Sequence, residues 1–595
     1  MPSRDADRDH LGLPTTTYLP RIPRSKRRQF RLTPSGRKIL LYLTGLILLG
    51  LLLQQSFVRE WKSTTLSWSV LSSSTAEECQ PVTSPQDSDQ WTLERLQQMI
   101  NGTRGYYTRD YSLWLGWNNM RYIIEAGVLQ AALLNRTLII PSFVYARQCE
   151  VGLEVCAAFL EMVNRGDAMN WDEWRWLPME KQMGWKIPIG LMIEMKHLRQ
   201  THAVITMEEY LRLHSLPTDL EQGNGQWIDS AYRVESRPIP NSWWDPPGVI
   251  RVDQQRPPFV LDEADPMSVQ AFQAREDVKA IIEDMMERQP QRNALQHTVL
   301  DWEPVRHTLR SMDLDVSDDS NIELFLRAAA FEVVHTYQGS LTSEFIKSVA
   351  MPIKQVARMS DVHGAIDDFG SWNDTVVHMQ GEVHDNRKPG FLRFTSVPNL
   401  EYFTRTVLND IRSLPDLAAL AVRVDERMRE RTGGRLWRAA HVRRGDFIRM
   451  GWSDASLARH MDLVKSKLSL APEIWQEIRS REAADTLGEL DAHVNPEDDI
   501  PRIDDPFYIA TEERNPQALD YMRSQGGVLI MDLLKPEDRQ IVGWPLLISD
   551  ILALAEQHIM GRSAYFYGNS MSSVTGGVLN LRAINGWDSR TTAPE

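Results

Sequence analysis

Cysteine is scarce. Only Cys79, Cys149 and Cys156 occur in 595 residues, and no spacing among them matches a zinc site, which excludes a metal-stapled scaffold. Positive charge is also in deficit: 66 Lys and Arg face 80 Asp and Glu, for a net charge of -14. That excludes a nucleic-acid binder relying on bulk charge. No internal repeat is present, so a solenoid is not the architecture. The chain is also too long for one compact domain, and two or three folded units are expected.

What is present begins with an asymmetric N-terminus. Arg21, Arg24, Lys26, Arg27, Arg28, Arg31, Arg37 and Lys38 lie together with no acid among them. A long apolar run follows, "ILLYLTGLILLGLLLQQSFV", Ile39 to Val58. It matches the roughly 20 residues that a helix needs to span a bilayer. Basic residues before the span predict a cytosolic N-terminus and a luminal bulk, a single-pass type II membrane protein. A cleaved signal peptide is the competing reading, but its basic region would be unusually long and no small-x-small site follows closely. A short Leu-rich span suits the thin membranes of the endoplasmic reticulum or Golgi.

Composition then divides the chain. Residues 1–37 read as a cytosolic basic tail, 38–58 as the transmembrane signal anchor and 59–90 as a Ser/Thr/Pro-rich stem. In a lumen Cys149 and Cys156 can pair, while Cys79 in the stem is free or joins two chains. The Asn-x-Thr triplets at Asn101 and Asn373 suit a luminal surface. The triplet at Asn135 stands against "LIIP" and reads as buried.

From Trp91 onward the chain is α/β. Gly116–Asn119 reads as a loop, Met120–Leu134 as a helix and "TLIIP" as a buried strand. "NIELFLRAAAFEVVHTY", from Asn321, reads as a capped helix. Past residue 400, "LWRAAHV", "PFYIAT", "GVLIMDLL" and "AYFYGN" read as strands. "LEYFTRTVLNDIRSL", "NPQALDYMRSQ", "WPLLISDILALAEQHIM" and "SMSSVTGGVLNLRAI" read as helices. This rhythm predicts mostly parallel sheets in two Rossmann-like domains facing a cleft. Residues 91–400 hold the first domain with a Trp-rich insertion, and 401–595 hold the second, which the resemblance given below implies is the nucleotide-sugar-binding domain.

Three polar clusters fall where ligands bind in such folds. Asn118 and Asn119 precede a helix. "HVRRGDF", His441 to Phe447, follows a strand. Ser572, Ser573 and Val574 open a helix. Strand alternation turns one of Arg443 and Arg444 to the site and packs the other. Gly445 supplies the turn, and Asp446 orients an arginine or accepts from a nucleoside. An arginine fork and a helix N-terminus are parts of a diphosphate site that needs no metal.

Four ordered motifs, "GWNNMRYIIEAGVLQAALLNRTLIIP", "HVRRGDF", "FYIATEE" and "FYGNSMSSVTGG", resemble the GDP-fucose protein O-fucosyltransferase superfamily, which includes α1,6-fucosyltransferases. The resemblance covers roughly 105–145 and 400–590. It implies a GT-B-like fold, GDP-fucose as donor, inversion, no cofactor and no required metal. By the same resemblance Arg443 is catalytic, holding the β-phosphate. Asn119, His441, Asp446, Asp550, Ser572, Ser573 and Val574 bind donor, supported by Asn118, Arg444 and Gly445. The acceptor is a protein or glycan. Asn118, Met120 and Val574 depart from the family's residues. No catalytic base is evident, Glu125 and Glu512 being acids near the motifs. Two alternatives stand beside this reading. One is a catalytically degenerate GDP-sugar-binding or partner-binding protein of the same fold. The other is a metal-dependent GT-A transferase using Asp313 and Asp315.

Overall fold

A computed structural model describes residues 91–113, 115–169, 176, 178–239, 249–288, 299–312, 314, 316, 318–338, 348–381, 391–482 and 499–594. The basic tail, anchor and stem, and Asp313 and Asp315, lie outside the described residues. Among those described, no helix is long and apolar enough to cross a membrane.

The first half begins with α1 (Leu93–Asn101), capped by the Thr92 side chain. Then come β1 (Tyr106–Arg109), α2 (Trp117–Leu133) and β2 (Thr137–Ile140). An antiparallel trio follows: β3 (Phe143–Ala146), β4 (Glu161–Asn164) and β5 (Met183–Pro188). β6 (Val204–Thr206), β7 (Ser236–Ile239) and β8 (Val376–Met379) complete a sheet of order β6-β2-β1-β8-β7. Every pairing in that sheet is parallel. β1 and β2 are buried along their whole length, as strands covered on both faces must be. α2 packs on them closely because Gly127 has no side chain. A Cβ there would stand 3.2 Å from Leu138.

The second half repeats the plan. Its elements are α3 (Pro415–Arg431), β9 (Arg438–Val442), α4 (Gly445–Arg449), β10 (Phe507–Thr511), α5 (Pro516–Ser524), β11 (Gly527–Val528), α6 (Ser549–Gly561), β12 (Tyr565–Gly568), α7 (Ser573–Ile584) and β13 (Thr592–Pro594). The sheet order is β11-β10-β9-β12-β13, again parallel throughout. The helix at Asn515 starts as its sequence predicts, with the Asn515 side chain accepting from the Ala518 N–H at 3.1 Å.

One apolar core joins the halves. It runs from Tyr107, Ile123 and Leu138 to Leu417, Trp437, Tyr508, Ile551 and Phe566. A strap adds polar ties. Cys149 and Cys156 form a disulfide. Around it the Glu150 N–H donates to Leu547 C=O at 2.7 Å and the Ser549 N–H to Gln148 C=O at 3.1 Å. Arg514 and Glu150 form an ion pair at 2.5 Å. Phe159 stacks on Trp544, with ring centroids 5.2 Å apart.

Several local expectations are corrected. α2 begins at Trp117, so Asn118 and Asn119 sit in its first turn rather than in a loop. The segment from Asn321 is a helix, Asp319–Ala328, and then a strand, Phe331–Tyr337. Ala330, at φ 66°, breaks the helix, and "FEVVHTY" is β-branched, aromatic and wholly buried. "GVLIMDLL" gives only two strand residues before a 3-10 turn, in which the Asp532 carboxylate accepts from the Leu529 N–H. "WPLLISDILALAEQHIM" divides at Ile548, which is extended. Asn135 is exposed, not buried.

Replacing both Cys149 and Cys156 with Ser should lower unfolding stability by about 2 kcal/mol, since the bridge closes a short loop. A shifted urea midpoint at unchanged slope would register it.

Candidate functional site

β9 is the central strand of its sheet, and its carboxyl end carries the cluster His441 to Asp446. His441 pairs in register with Ala510 of β10 and Gly568 of β12. It is buried, and its Nδ1 has no hydrogen-bond partner. Burial first, then the Arg443 and His460 charges, push its pKa down to about 3. At neutral pH His441 is therefore an uncharged imidazole that offers a hydrogen bond rather than a charge.

The two arginines divide as expected, one packed and one more open, although β9 ends at Val442 and the turn into α4 rather than strand alternation sets them apart. Arg444 is the packed one, with 9 % of its side chain exposed against 28 % for Arg443. Its guanidinium donates to Glu513, to Asp454 C=O and to Ala455 C=O. Its N–H donates to Glu512 Oε1 at 2.7 Å. These bonds fix the turn into α4. Gly445 occupies that turn at φ 20°, where a Cβ would meet Glu512 at 3.0 Å. Arg443 stands over the Phe447 ring, donates to Asp446 at 2.8 Å and lies 3.6 Å from Glu512. Asp446 thus orients the arginine, one of the two roles expected of it.

Adjacent strand ends bring in the second cluster. β12 neighbours β9 and leads into α7. Ser572 is the buried N-cap of α7, and its hydroxyl caps no helical N–H. The first-turn amides from Ser573 have no carbonyl within the helix to bond, so they carry partial positive charge. Thr575 is buried, and its Oγ1 has no partner. Gly568 permits this approach, since a Cβ there would stand 2.7 Å from that oxygen. Val574 is partly buried against the shared core. The loop is tied back to the arginine turn. The Asn569 side chain donates to Trp452 C=O at 2.8 Å, and the Ser453 hydroxyl donates to Arg443 C=O at 2.8 Å.

The third cluster arrives from the first half. Tyr122 of α2 donates to Ser573 C=O at 3.3 Å, joining α2 to the start of α7. Gln557 of α6 donates to Asn118 Oδ1 at 3.1 Å. Asn119 Oδ1 is buried without a partner. Met120 is buried in the shared core. Asp550 accepts from the Trp117 N–H at 3.3 Å and the Arg147 N–H at 3.4 Å. Both of its oxygens bind backbone from the other half, so Asp550 acts here as a tie.

The two acids near the motifs separate. Glu125 is buried away from the cluster and pairs with Arg121 at 2.6 Å, while Arg121 also donates to Val407 C=O and Ile411 C=O. Glu512 is at the site, and its Oε2 is buried without a partner. Sequence reasoning missed Glu556 on α6, whose signal was a lone acid in the apolar run "LALAEQH". Tyr508 donates to it at 3.0 Å. Burial first, then the Glu150 and Glu512 charges, push its pKa up to about 8. Among the described residues no group of three His, Cys, Asp or Glu is placed to hold a metal ion.

Arg444→Ala should cost about 3 kcal/mol of stability, because it strips a buried charge from its partners. Arg443→Ala should cost less than about 1 kcal/mol, its ion pairs being half-exposed. Chemical denaturation compares the two. Glu556 keeps its proton up to about pH 8 in the folded chain but loses it near 4.5 when unfolded. The folded state binds more protons between those values, so Glu556 makes stability fall as pH rises through that window. Glu556→Gln should flatten that slope in a pH series of denaturation midpoints.

No family model matches the chain, and no curated protein matches it. Among solved structures, POFUT1 in complex with GDP-fucose is 12% identical at a TM-score of 0.29. That match covers 82% of this chain and 98% of that one. POFUT1 in complex with GDP is also 12% identical at a TM-score of 0.29, covering 83% and 98%. The POFUT1 apo form is 12% identical at 0.26, covering 83% and 98%. These are distant likenesses, and they leave the reading of the site to its own geometry.

Proposed function

We propose that the chain is a glycosyltransferase moving fucose from GDP-fucose to a hydroxyl of a protein or glycan acceptor, with inversion at the anomeric carbon. One observation carries this reading: an arginine fork and a helix N-terminus without a side-chain cap meet at adjoining strand ends. Beside them lie buried polar atoms that no protein group satisfies. Arg443 presents a planar fork to two diphosphate oxygens. The start of α7, through Ser572, Ser573 and the Val574 and Thr575 N–H groups, faces the same charge. As the bond from the sugar C1 to the β-phosphate oxygen breaks, its electron pair passes to that oxygen. Positioned cationic and N–H groups stabilise the charge as it grows. The acceptor hydroxyl attacks C1 from the opposite face and gives up its proton to a solvent base as the new C–O bond forms. Neutral His441 and Asp446 hold the nucleoside or Arg443. Asn119 faces the phosphate and fucose, and Asp550, tied to the Trp117 and Arg147 N–H groups, is the candidate for guanine recognition. The sugar's identity rests on the four ordered motifs.

In this reading residues 38–58 anchor a type II protein in the endoplasmic reticulum or Golgi, with the folded region luminal. The disulfide supports an oxidising compartment. Neither a cofactor nor a metal is required. A second reading has its own observation. Asn118 is engaged by Gln557 and Met120 is buried, so the altered α2 turn is committed to packing. That favours a GDP-sugar binder without turnover.

Calorimetric titration of GDP-fucose into the solubilised full chain, with EDTA present, tests the donor. Saturable binding is expected, weakened about 100-fold or more by Arg443→Ala, with UDP- and GDP-mannose as controls. No binding by folded protein would sink the assignment. Binding without transfer or hydrolysis would select the second reading. Activity that appears only with a divalent ion would select the metal-dependent alternative with Asp313 and Asp315.

A further inference from the structure

Every Asn-x-Ser/Thr triplet in the chain, at Asn101, Asn135 and Asn373, is brought by the topology to one edge of one sheet. Asn101-Gly-Thr precedes β1, Asn135-Arg-Thr runs into β2, and Asn373-Asp-Thr precedes β8. These three strands are neighbours and run parallel. Their amino ends therefore lie side by side, although the third triplet stands far along the chain from the others.

The triplets also touch. The Thr103 and Thr137 hydroxyls share a hydrogen bond of 2.8 Å. Arg136, inside the second triplet, donates to Asp374 C=O, inside the third, at 2.7 Å. The Arg104 N–H donates to Asn135 C=O at 2.8 Å, and the Tyr106 N–H to Thr375 C=O at 2.8 Å. The threonines and central residues thus have structural work, whereas the asparagine side chains point outward. All three asparagines are exposed. The side-chain nitrogen of each donates to no protein group among the described residues. Asn101 uses only its oxygen, which accepts from Gln97 at 3.0 Å. Asn135 adopts φ 50°, just past the end of α2, where its side chain clears the helix.

We infer that this edge is a glycan-bearing pole, carrying N-linked oligosaccharide on at least two of Asn101, Asn135 and Asn373. The donor class is a polyprenyl-diphosphate-linked oligosaccharide. The asparagine nitrogen bonds to the sugar C1 and gives up a proton to base. The C1–O bond to the diphosphate breaks, and the lipid diphosphate leaves with the electron pair. The pole lies far from the candidate site. α2 has 17 residues, from Trp117 to Leu133, and so separates Asn118 from Asn135 by about 25 Å. Glycans here leave the carboxyl ends of the strands open.

The inference rests on the luminal placement proposed above, and the test separates the two. The full chain is expressed in a eukaryotic cell. Occupancy is read by glycopeptide mass spectrometry, and compartment by protease protection of intact microsomes. A protected chain modified at two or three of the asparagines is the expected result. A protected chain modified at one or none overturns the inference alone. A folded region digested in intact microsomes overturns the luminal reading and the inference together. Enzymatic removal of the glycans from the native protein should leave GDP affinity within twofold. A larger change would refute the separation of pole and site. Where mass spectrometry finds Asn135 occupied, Asn135→Gly, which keeps the positive φ, should remove one glycan increment and leave folding intact.

Discussion

The site depends on one constraint: two parallel sheets bury their facing helices in a single apolar core. α2, α3 and α6 cannot shift independently while Ile123, Leu417 and Ile551 share that core. Close packing of this kind resists gradual deformation. The carboxyl ends of β9 and β12, the start of α7 and the first turn of α2 are therefore set relative to one another before any ligand arrives. Such preorganisation allows fixed donors to act on developing charge without a reorganisation cost.

Within that frame charge is distributed by burial. Arg444 is satisfied by four protein groups and serves the turn. Arg443 keeps a loose pair with Asp446 and Glu512 and stays half-exposed, so an incoming anion can recruit it. Burial, with the like charges of Glu150 and Glu512, keeps Glu556 protonated at neutral pH. The site is thus less negative than its carboxylates imply, which suits an anionic ligand.

Much of this was legible in the sequence where local chemistry and tertiary demand agree. The strand "LWRAAHV", the Asn515 cap and the helix after "GNSMSS" follow from periodicity and cap chemistry. Agreement fails where tertiary contacts decide. The start of α2 is set by Asp550, a residue of the other half accepting from the Trp117 N–H, and no window around Gly116 contains that partner. "FEVVHTY" extends the apolar pattern of the helix before it, but Ala330, at positive φ, ends that helix first and the segment becomes a strand. Asp550 looks like a ligand-binding acid in sequence, yet it binds backbone from distant loops. Glu556 was passed over because a lone acid in an apolar helix gains meaning only beside Tyr508, Glu150 and Glu512.

The disulfide-closed strap has a consequence for how the chain is made. Its backbone partners lie late in the chain: the contact between Arg147 and Asp550 spans 403 residues. At ordinary elongation rates the start of α6 emerges roughly 20 to 80 s after the strap. During that interval the loop can close its sulfur bond, but it has nothing to dock on, and the face of α2 destined for the shared core is uncovered. The first half therefore holds an apolar face whose cover is encoded only in the last quarter of the chain, so order near the start depends on sequence near the end.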